Sequence, residues 1–363
     1  MSTGYRESLR IGVTAMGAIS PVGADIDQTC SSIRGRVSRF SVHAFFEGTP
    51  PDPEWDPDLP VTVAAVPDVD LSDDGPDRLH RLFLPAFTEL SRKIGLKRTD
   101  LAKGGIFLAL PPSDAVTPEW EFGKRFLPEF REAAGIDPLR VERTLQGGRA
   151  SGFVLVDEAV RGIAGGEIEF AIVGGVDSYL MSERLAHWDA AWRIRTDRNV
   201  DGFIPGEAAV VLFLESELRA GRRGSRCLSV VDAAGFGKEP ESFLFSDKAS
   251  TGKGIVEALR SITAGKPEGH RFDWIYNDLN GESYGAFEWG LLQTRMAKQF
   301  DGWRKLVHPA DCLGDVGAAT GPLLLACATH AFQWGYNTSG EALLLASSDD
   351  GARAAMTVRR PGA

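Results

Sequence analysis

Apolar and polar positions alternate along the chain in a way that predicts strands and helices in turn. Apolar runs at residues 9–14 and 18–19 predict a strand, a turn and a short second strand. Helical spacing of apolar positions predicts helices over 79–94 and 120–134, with a short buried strand over 105–110 between them. Because the alternation continues to the C-terminus, it predicts an α/β layered fold with a mixed or parallel sheet.

One segment departs from this alternation. Residues 48–76 are rich in Pro and Asp, with Val residues scattered among them at no regular spacing. Such a composition favours an extended path over a regular core element. We therefore expect an inserted excursion at the surface near 48–76.

The chain also contains an internal repeat. The small-residue run at 148–152 begins an apolar helix that leads to a buried strand at 170–173. A second small-residue run, at 317–321, begins another apolar helix that leads to a buried strand at 342–345. A helix that is apolar on all sides must lie between two other layers. The repeat therefore predicts two similar α/β halves that meet near residues 215–228.

Length, composition and charge restrict the possible functions. The chain has 363 residues, 43% of them hydrophobic, which is enough for a large core. A net charge of −10 argues against a nucleic-acid or anionic-membrane partner, although a local basic patch would suit an acidic carrier protein. No apolar run approaches the ~20 residues of a membrane span, and the polar N-terminus does not resemble a secretory signal. We expect a cytoplasmic protein with no membrane partner.

Residues that commonly bind metals or cofactors form no pattern in this sequence. The four cysteines, Cys30, Cys227, Cys312 and Cys327, have spacings that match neither a zinc site nor a redox pair, which predicts buried free thiols. The histidines stand alone, and the glycine-rich positions separate strands instead of forming a phosphate-binding loop. We expect no cofactor and no metal.

Three segments resemble motifs of one enzyme family. Residues 195–209, RTDRNVDGFIPGEAA, are similar to the family motif RPFDxxRDGFVxGEGA. Residues 12–23, GVTAMGAISPVG, are similar to VTGxGxxSPxG, and residues 171–178, AIVGGVDS, are similar to ALVGGxDS. Together with the small-residue run at 148–152, they stand in the order that this family shows. The chain therefore resembles the β-ketoacyl-acyl-carrier-protein synthases, which are the ketosynthase branch of the thiolase superfamily.

The resemblance implies a particular architecture and assembly. The implied fold is the thiolase-like one, a five-layered αβαβα sandwich made of two duplicated halves. We place these halves at 1–220 and 221–363, with the Pro- and Asp-rich excursion in the first. The resemblance also implies a homodimer, or a heterodimer with a ketosynthase paralogue.

At the three catalytic positions of the family, the resemblance places other residues. Arg149 stands at the nucleophilic cysteine, Asn280 at the first histidine and Gly314 at the second. Because an arginine guanidinium stays protonated, Arg149 cannot act as a nucleophile. Claisen condensation needs a thiolate and two hydrogen-bond donors for the enolate. We therefore expect the Cys-His-His triad to be degenerate and ordinary ketosynthase activity to be absent.

Several polar residues are expected to converge where that triad would lie. These are Arg149, Ser151, Asn280, Glu282 and Asp315. We expect Arg149 to pair with Asp315 or Glu282, because an unpaired charge is costly there, and the pair would fill the acyl pocket. Two interpretations stay open: a structural salt bridge, or a site for an anion or small polar ligand at Arg149 and the helix N-terminus.

Two further residues follow from the resemblance alone. Phe203 and Glu207 lie in the stretch that shapes the pocket mouth in the family, which makes them candidates for any binding that survives. The alternative is that they pack beneath the repeat helices.

The favoured hypothesis for function is a ketosynthase-like protein without catalysis. It would act as a binding, scaffold or adaptor subunit, or like a chain-length factor beside an active ketosynthase. Its partner would be a second copy, a ketosynthase paralogue, an acyl carrier protein or another protein. The alternative is an enzyme with altered catalytic residues: an acyltransferase, a 3-oxoacyl-carrier-protein synthase or a hydrolase. It would use Ser151, Cys312, or the carboxylates of Asp278 and Glu282 as bases.

Overall fold

Strands and helices alternate along the chain, as its sequence pattern predicts. The computed structural model describes residues 3–4, 9–49, 59–95, 98–112, 122–244 and 246–362. The strands are β1 (Thr3–Gly4), β2 (Ile11–Ile19), β3 (Ser41–Gly48), β4 (Leu59–Val63), β5 (Gly104–Leu110), β6 (Val141–Gln146), β7 (Phe170–Ser178), β8 (Glu207–Ser216), β9 (Ser229–Lys238), β10 (Trp274–Asn277), β11 (Lys305–Val307), β12 (Glu341–Ser347) and β13 (Ala352–Arg359). The α-helices are α1 (Ile26–Gly35), α2 (Gly75–Ile94), α3 (Phe122–Ala134), α4 (Ser151–Ala164), α5 (Ser182–Ala190), α6 (Glu217–Arg222), α7 (Lys253–Thr263), α8 (Ser283–Arg295), α9 (Ala297–Phe300), α10 (Ala310–Leu313) and α11 (Thr320–Gln333). Among these described helices, none is both long and apolar enough to cross a membrane.

Two groups of five strands have the same order and the same directions. The first runs β6-β5-β7-β8-β2 and the second β11-β10-β12-β13-β9. In each group the first three strands in this order are parallel, and the fourth is antiparallel to both of its neighbours. The groups join where Gly12 pairs with Val230 and Val13 with Ser229. The predicted duplication into two α/β halves is confirmed, while the boundary at residue 220 stays a prediction.

Helices fill the space between the two groups of strands and cover both outer faces. In the middle, α4 and α11 contribute Phe153 and Leu324 to a core that also contains side chains from both groups. On the outer faces, α2 and α3 cover the first group, and α7 and α8 cover the second. Because α11 is buried at every position from Thr320 to Phe332, it needs small and apolar residues on all sides. These layers, in the order αβαβα, confirm the predicted five-layered fold.

The first strand differs from its prediction. A single strand, β2, covers Ile11–Ile19, where the sequence predicted two strands and a turn. Gly17, which lies at the expected turn, instead allows α2 to approach, because a Cβ there would collide with the carbonyl oxygen of Ala86. The glycine therefore marks close packing between a strand and a helix.

The Pro- and Asp-rich excursion contains a regular element that its composition did not predict. Strand β4 pairs with β3 in a separate two-stranded sheet, and Val61 and Val63 are buried. These two valines alternate along β4 and pack into a small core that includes Phe203. Residues 50–58 of the excursion, and residues 120–121 of the second predicted helix, lie outside the described residues.

Candidate functional site

The site that the sequence predicts lies where α4 begins. Strand β6 ends at Gln146, and a short glycine-containing turn leads to Arg149 just before the helix. Gly148 is needed in this turn because a Cβ there would lie 2.8 Å from the Cβ of Ser348, which follows β12. Ala150 at the helix start offers no side-chain cap, and its backbone N–H donates to the Ser348 hydroxyl at 3.0 Å. The loop after β12 therefore closes over the start of α4 and fixes the position of Arg149.

Arg149 is surrounded by carboxylates. Its guanidinium forms ion pairs with Asp315, with Asp349 at 2.7 Å and with Asp278 at 3.3 Å. Its Nε also donates to the carbonyl oxygen of Ser347 at 2.9 Å. The side chain is only 11% exposed. Because the helix dipole opposes a cation at this end of α4, Arg149 depends on these carboxylates for its stability.

A second arginine completes the arrangement. Arg193 donates to both oxygens of Glu282 at 2.6 Å and to one oxygen of Asp349 at 2.8 Å, so that Asp349 bridges the two arginines. Asn280 donates from its side-chain amide to Glu282 and to Asp315, at 2.9 Å each. We call this set the arginine–carboxylate network; its members are Arg149, Arg193, Asp278, Asn280, Glu282, Asp315 and Asp349. Bidentate pairing of the kind made by Arg193 fixes the orientation of both side chains.

The network brings four carboxylates and two guanidinium groups together, and the pKa values of Asp278, Asp349 and Arg149 are shifted there. Burial raises the pKa of Asp278 to about 6, with Arg149 partly opposing the shift. Burial also acts to raise the pKa of Asp349, but Arg193 and Arg149 outweigh it and hold that pKa well below its usual range. Burial disfavours the charge of Arg149, but its three carboxylates outweigh this and raise its pKa well above the usual value. Asp278 therefore takes up a proton near pH 6.

Little space is left beside the network. A cavity of about 50 Å³ adjoins it, lined in part by Arg149, Asp278, Glu282 and Asp349. That volume holds a few water molecules, whereas pockets for small ligands span hundreds of cubic ångströms. The chain's own side chains therefore occupy this part of the site.

The family whose model matches this chain is the beta-ketoacyl synthase N-terminal domain, over residues 143–220. No curated protein matches the chain by sequence. Among solved structures, the ketosynthase from module 6 of the bacillaene synthase from Bacillus subtilis 168 has a TM-score of 0.77 at 15% identity. That match covers 98% of this chain and 72% of the ketosynthase.

Two further solved structures match over nearly their whole length. The ishigamide ketosynthase/chain length factor has a TM-score of 0.76 at 18% identity, covering 98% of this chain and 100% of that one. The AntDE:AntF structure, a type II PKS acyl-carrier protein in complex with its ketosynthase, has a TM-score of 0.78 at 14% identity, covering 97% and 99%. This chain has the ketosynthase fold. The resemblance inferred from the sequence motifs is thereby confirmed.

Four of the five residues expected to converge in this ketosynthase-fold chain do so. Arg149 pairs with Asp315, as expected. Glu282 pairs with Arg193 instead, and Asn280 links it to Asp315. The network therefore involves more residues than the single expected ion pair.

The other two positions singled out in the sequence, Ser151 and Gly314, contribute no side chain to the network. The Ser151 hydroxyl donates to the carbonyl oxygen of Gly148 at 2.6 Å, a local bond at the start of α4. Gly314 has φ of 69° and ψ of −173°, a conformation open essentially only to glycine. A Cβ at Gly314 would also lie 2.5 Å from the carbonyl oxygen of Ile204. The backbone at Gly314 thus leaves no room for a side chain.

Phe203 and Glu207, which the resemblance places at a pocket mouth, are both buried in the structure. Phe203 is 1% exposed and packs against Tyr179, with 4.9 Å between the ring centroids. Glu207 is fully buried and accepts hydrogen bonds from the Arg78 guanidinium at 2.7 and 2.8 Å. Because Arg78 belongs to α2, outside the motif, the motif alone did not indicate this pair. Both residues lie in the interior of the protein, and their place at a pocket mouth stays a prediction.

Sequence reasoning missed Arg193 and Asp349. Asp349 follows the second repeated strand, β12, and Asp177 stands near the end of the first, β7. Asp177 is also paired with an arginine, Arg184, and accepts the backbone N–H of Ala318 at 2.8 Å. An acidic residue lies at or just beyond the end of each repeated strand, and this was the signal that pointed to Asp349. No comparable signal marked Arg193.

Replacing Asp278 with asparagine is expected to change the pH dependence of stability. The pKa of Asp278 is about 6 in the folded chain, above the ordinary value near 4 that applies when it is unfolded. Between these values the folded state holds a proton that the unfolded state has released, so this group lowers stability as the pH rises, by roughly 2 to 3 kcal/mol in total. Urea unfolding of both proteins at about pH 4.5 to 8 is the measurement. The unfolding free energy of Asp278→Asn should rise relative to that of the native chain as the pH increases; a constant difference would contradict the raised pKa.

Proposed function

We propose that this ketosynthase-fold chain is a non-catalytic subunit that acts by binding. The observation that carries the proposal is the ion-paired Arg149. Its guanidinium is held by three carboxylates at the position where the motif alignment puts the nucleophilic cysteine. A guanidinium cannot form the acyl thioester that condensation requires. The three ion pairs also keep Arg149 from moving aside to admit a substrate.

The two positions aligned with the catalytic histidines support the same proposal. The Asn280 amide donates to Glu282 and Asp315, and its oxygen accepts the Glu282 backbone N–H at 3.2 Å. Gly314 has no side chain, and the backbone around it leaves no room for one. The two aligned positions therefore provide neither of the hydrogen-bond donors that stabilise the enolate formed by decarboxylation in a ketosynthase.

The alternative, an enzyme with altered catalytic residues, has less support. The Ser151 hydroxyl is engaged with the Gly148 carbonyl, and burial raises the pKa of the Cys312 thiol to about 11. None of the six histidines, all of which lie in described parts of the chain, makes a hydrogen bond to either nucleophile. The carboxylates of Asp278 and Glu282 are engaged by the two arginines of the network. A nucleophile with its own base is therefore missing.

A ketosynthase or a carrier protein is the partner that we favour. Among the similar structures, one is a ketosynthase/chain length factor and another is an acyl-carrier protein in complex with its ketosynthase. By analogy, this chain would bind an active ketosynthase as a heterodimer, or a carrier protein, and influence the partner's acyl site. A homodimer that serves as a scaffold for another protein is the second form of the proposal.

Mixing this chain with a ketosynthase and with malonyl- and acyl-carrier protein tests the proposal. Native mass spectrometry is expected to detect a complex that contains this chain. Denaturing mass spectrometry is expected to detect an acyl group on the ketosynthase and none on this chain. The ketosynthase without this chain is the control for acyl loading. Failure to form a complex with any ketosynthase or carrier protein encoded beside this chain would count against binding. An acyl adduct on this chain would overturn the loss of catalysis.

A further inference from the structure

A cleft separate from the arginine–carboxylate network lies at the edge of the sheet formed by β10 and β11. Its volume is about 640 Å³, and α1 and α11 contribute the opposite walls. It shares no lining residue with the small cavity beside the network. A cleft of this volume falls in the size range of sites for small organic ligands. The proposed function does not use it.

One part of the lining of this cleft is apolar and aromatic. Its aromatic lining residues are Trp274, Tyr276, Trp303 and Tyr336. Cys30 and Cys327 lie at the floor as buried free thiols, with 4.0 Å between their sulfur atoms. The hydrogen bond to Cys327, together with burial, raises the pKa of Cys30 well above its usual value, so this thiol stays neutral. Such a surface suits the hydrocarbon or aromatic body of a ligand.

The rim of the cleft is basic, although the chain as a whole carries a net charge of −10. The cationic lining residues are Arg34, Arg36, Arg304 and Lys305. Arg304 lies 3.6 Å from the carboxylate of Asp273, but no carboxylate of the described residues forms an ion pair with the other three cations. Asp311 is the single acidic residue among those that line the cleft. The excess of positive charge at the rim suits an anionic group.

Tyr276 also lines this cleft, and its hydroxyl is buried. Its side chain is 2% exposed, and its hydroxyl makes no hydrogen bond with any described residue. Burial raises the pKa of Tyr276 well above its usual value, so the hydroxyl keeps its proton and remains a donor. Buried polar groups in folded proteins are nearly always hydrogen-bonded, and a buried donor without an acceptor is costly.

We propose that this cleft binds an amphiphilic anion, a molecule with a hydrocarbon or aromatic body and a carboxylate or phosphate head. The body would lie between Trp274, Trp303 and Tyr336. The head would meet Arg36 and Lys305 at the rim, since charge-assisted bonds to anionic oxygens are the strongest contacts available there. The inference concerns a site outside the arginine–carboxylate network and holds whether or not this chain binds a ketosynthase.

Calorimetric titration of the isolated chain with dodecanoate, dodecyl phosphate and uncharged dodecan-1-ol tests this inference. We expect both anions to bind with 1:1 stoichiometry, and the alcohol to bind at least about tenfold more weakly. The double variant Arg36→Gln/Lys305→Gln should weaken anion binding by about tenfold or more. Lys298→Gln, an exposed position on α9 outside the cleft, is the matched control and should bind like the native chain.

Tyr276→Phe serves as a second control. It should leave the unfolding free energy unchanged or higher, because the hydroxyl that it removes has no partner among the described residues, and it should bind both anions like the native chain, because their heads lie at the rim. Equal binding of dodecan-1-ol and dodecanoate would overturn the inference, and so would undiminished binding by Arg36→Gln/Lys305→Gln. Binding of an acidic carrier protein without binding of either anion would assign the cleft to a macromolecule and would also overturn it.

Discussion

Replacing Arg149 with alanine is expected to lower the free energy of unfolding by about 3 to 5 kcal/mol. The loss arises because Asp278, Asp315 and Asp349 remain buried beside one another when their shared cation is removed. Removing one partner of a buried ion pair costs more than the pair contributes, since the remaining charges are neither solvated nor compensated. Part of the loss should be recovered at low pH, because Asp278, whose pKa burial raises to about 6, takes up a proton there. Urea unfolding at about pH 7 and about pH 5 measures both effects.

Arg143→Ala is the control for the removal of an arginine. Arg143 pairs with Glu158 at 3.3 Å, but the two side chains are 51% and 36% exposed. An exposed pair of this kind contributes at most about 1 kcal/mol, so the variant should be nearly as stable as the native chain. If Arg149→Ala lowered the free energy of unfolding no more than Arg143→Ala does, Arg149 would not be the fixed centre of a buried network.

Gly314→Ala is expected to lower the free energy of unfolding by about 2 to 4 kcal/mol. The backbone of Gly314 has φ of 69° and ψ of −173°, which residues with a Cβ rarely adopt. The new Cβ would lie 2.5 Å from the carbonyl oxygen of Ile204. That oxygen accepts the backbone N–H of Asp315 at 2.8 Å, so it cannot move aside without disturbing a member of the network. The same collision opposes a histidine at this position. Thermal and urea unfolding measure the loss.

Gly290→Ala is the matched control for the replacement of a glycine. Gly290 lies within α8, and a Cβ there would meet no heavy atom within 4 Å. Alanine in a helix interior is favoured over glycine by roughly 0.5 to 1 kcal/mol, so this variant should be slightly more stable than the native chain. If Gly314→Ala were as stable as the native chain, this position would tolerate a side chain. A histidine could then be introduced at the position aligned with the second catalytic histidine.

The fold was accessible from the sequence because its signals are local. Small residues at 148–152 and 317–321 are needed wherever a helix begins between two sheets, and each run precedes a buried strand at a similar distance. Strand β4 was missed for the opposite reason. Its two inward valines are too few to establish a period among prolines and aspartates. The strand depends on its pairing with β3, which is a tertiary contact.

The candidate site was only partly accessible from the sequence. The motifs placed Arg149 and Asp315 at the same point, and their ion pair followed from the cost of an unpaired buried charge. The role of Arg193 depends on how the loop after α5 folds back over the site, which no local pattern specifies. The ion pair of Glu207 was missed for a similar reason, because the arginine that it binds comes from a distant helix. Contacts between segments far apart in sequence therefore decided both cases.

The intact mass of this chain after incubation with malonyl- and acyl-carrier protein tests the proposed loss of catalysis most directly. An active ketosynthase treated in parallel should gain the mass of its acyl group, because its cysteine forms a thioester. This chain, with an ion-paired guanidinium at the aligned position, is expected to keep its unmodified mass. A stable acyl adduct on this chain would contradict a non-catalytic role.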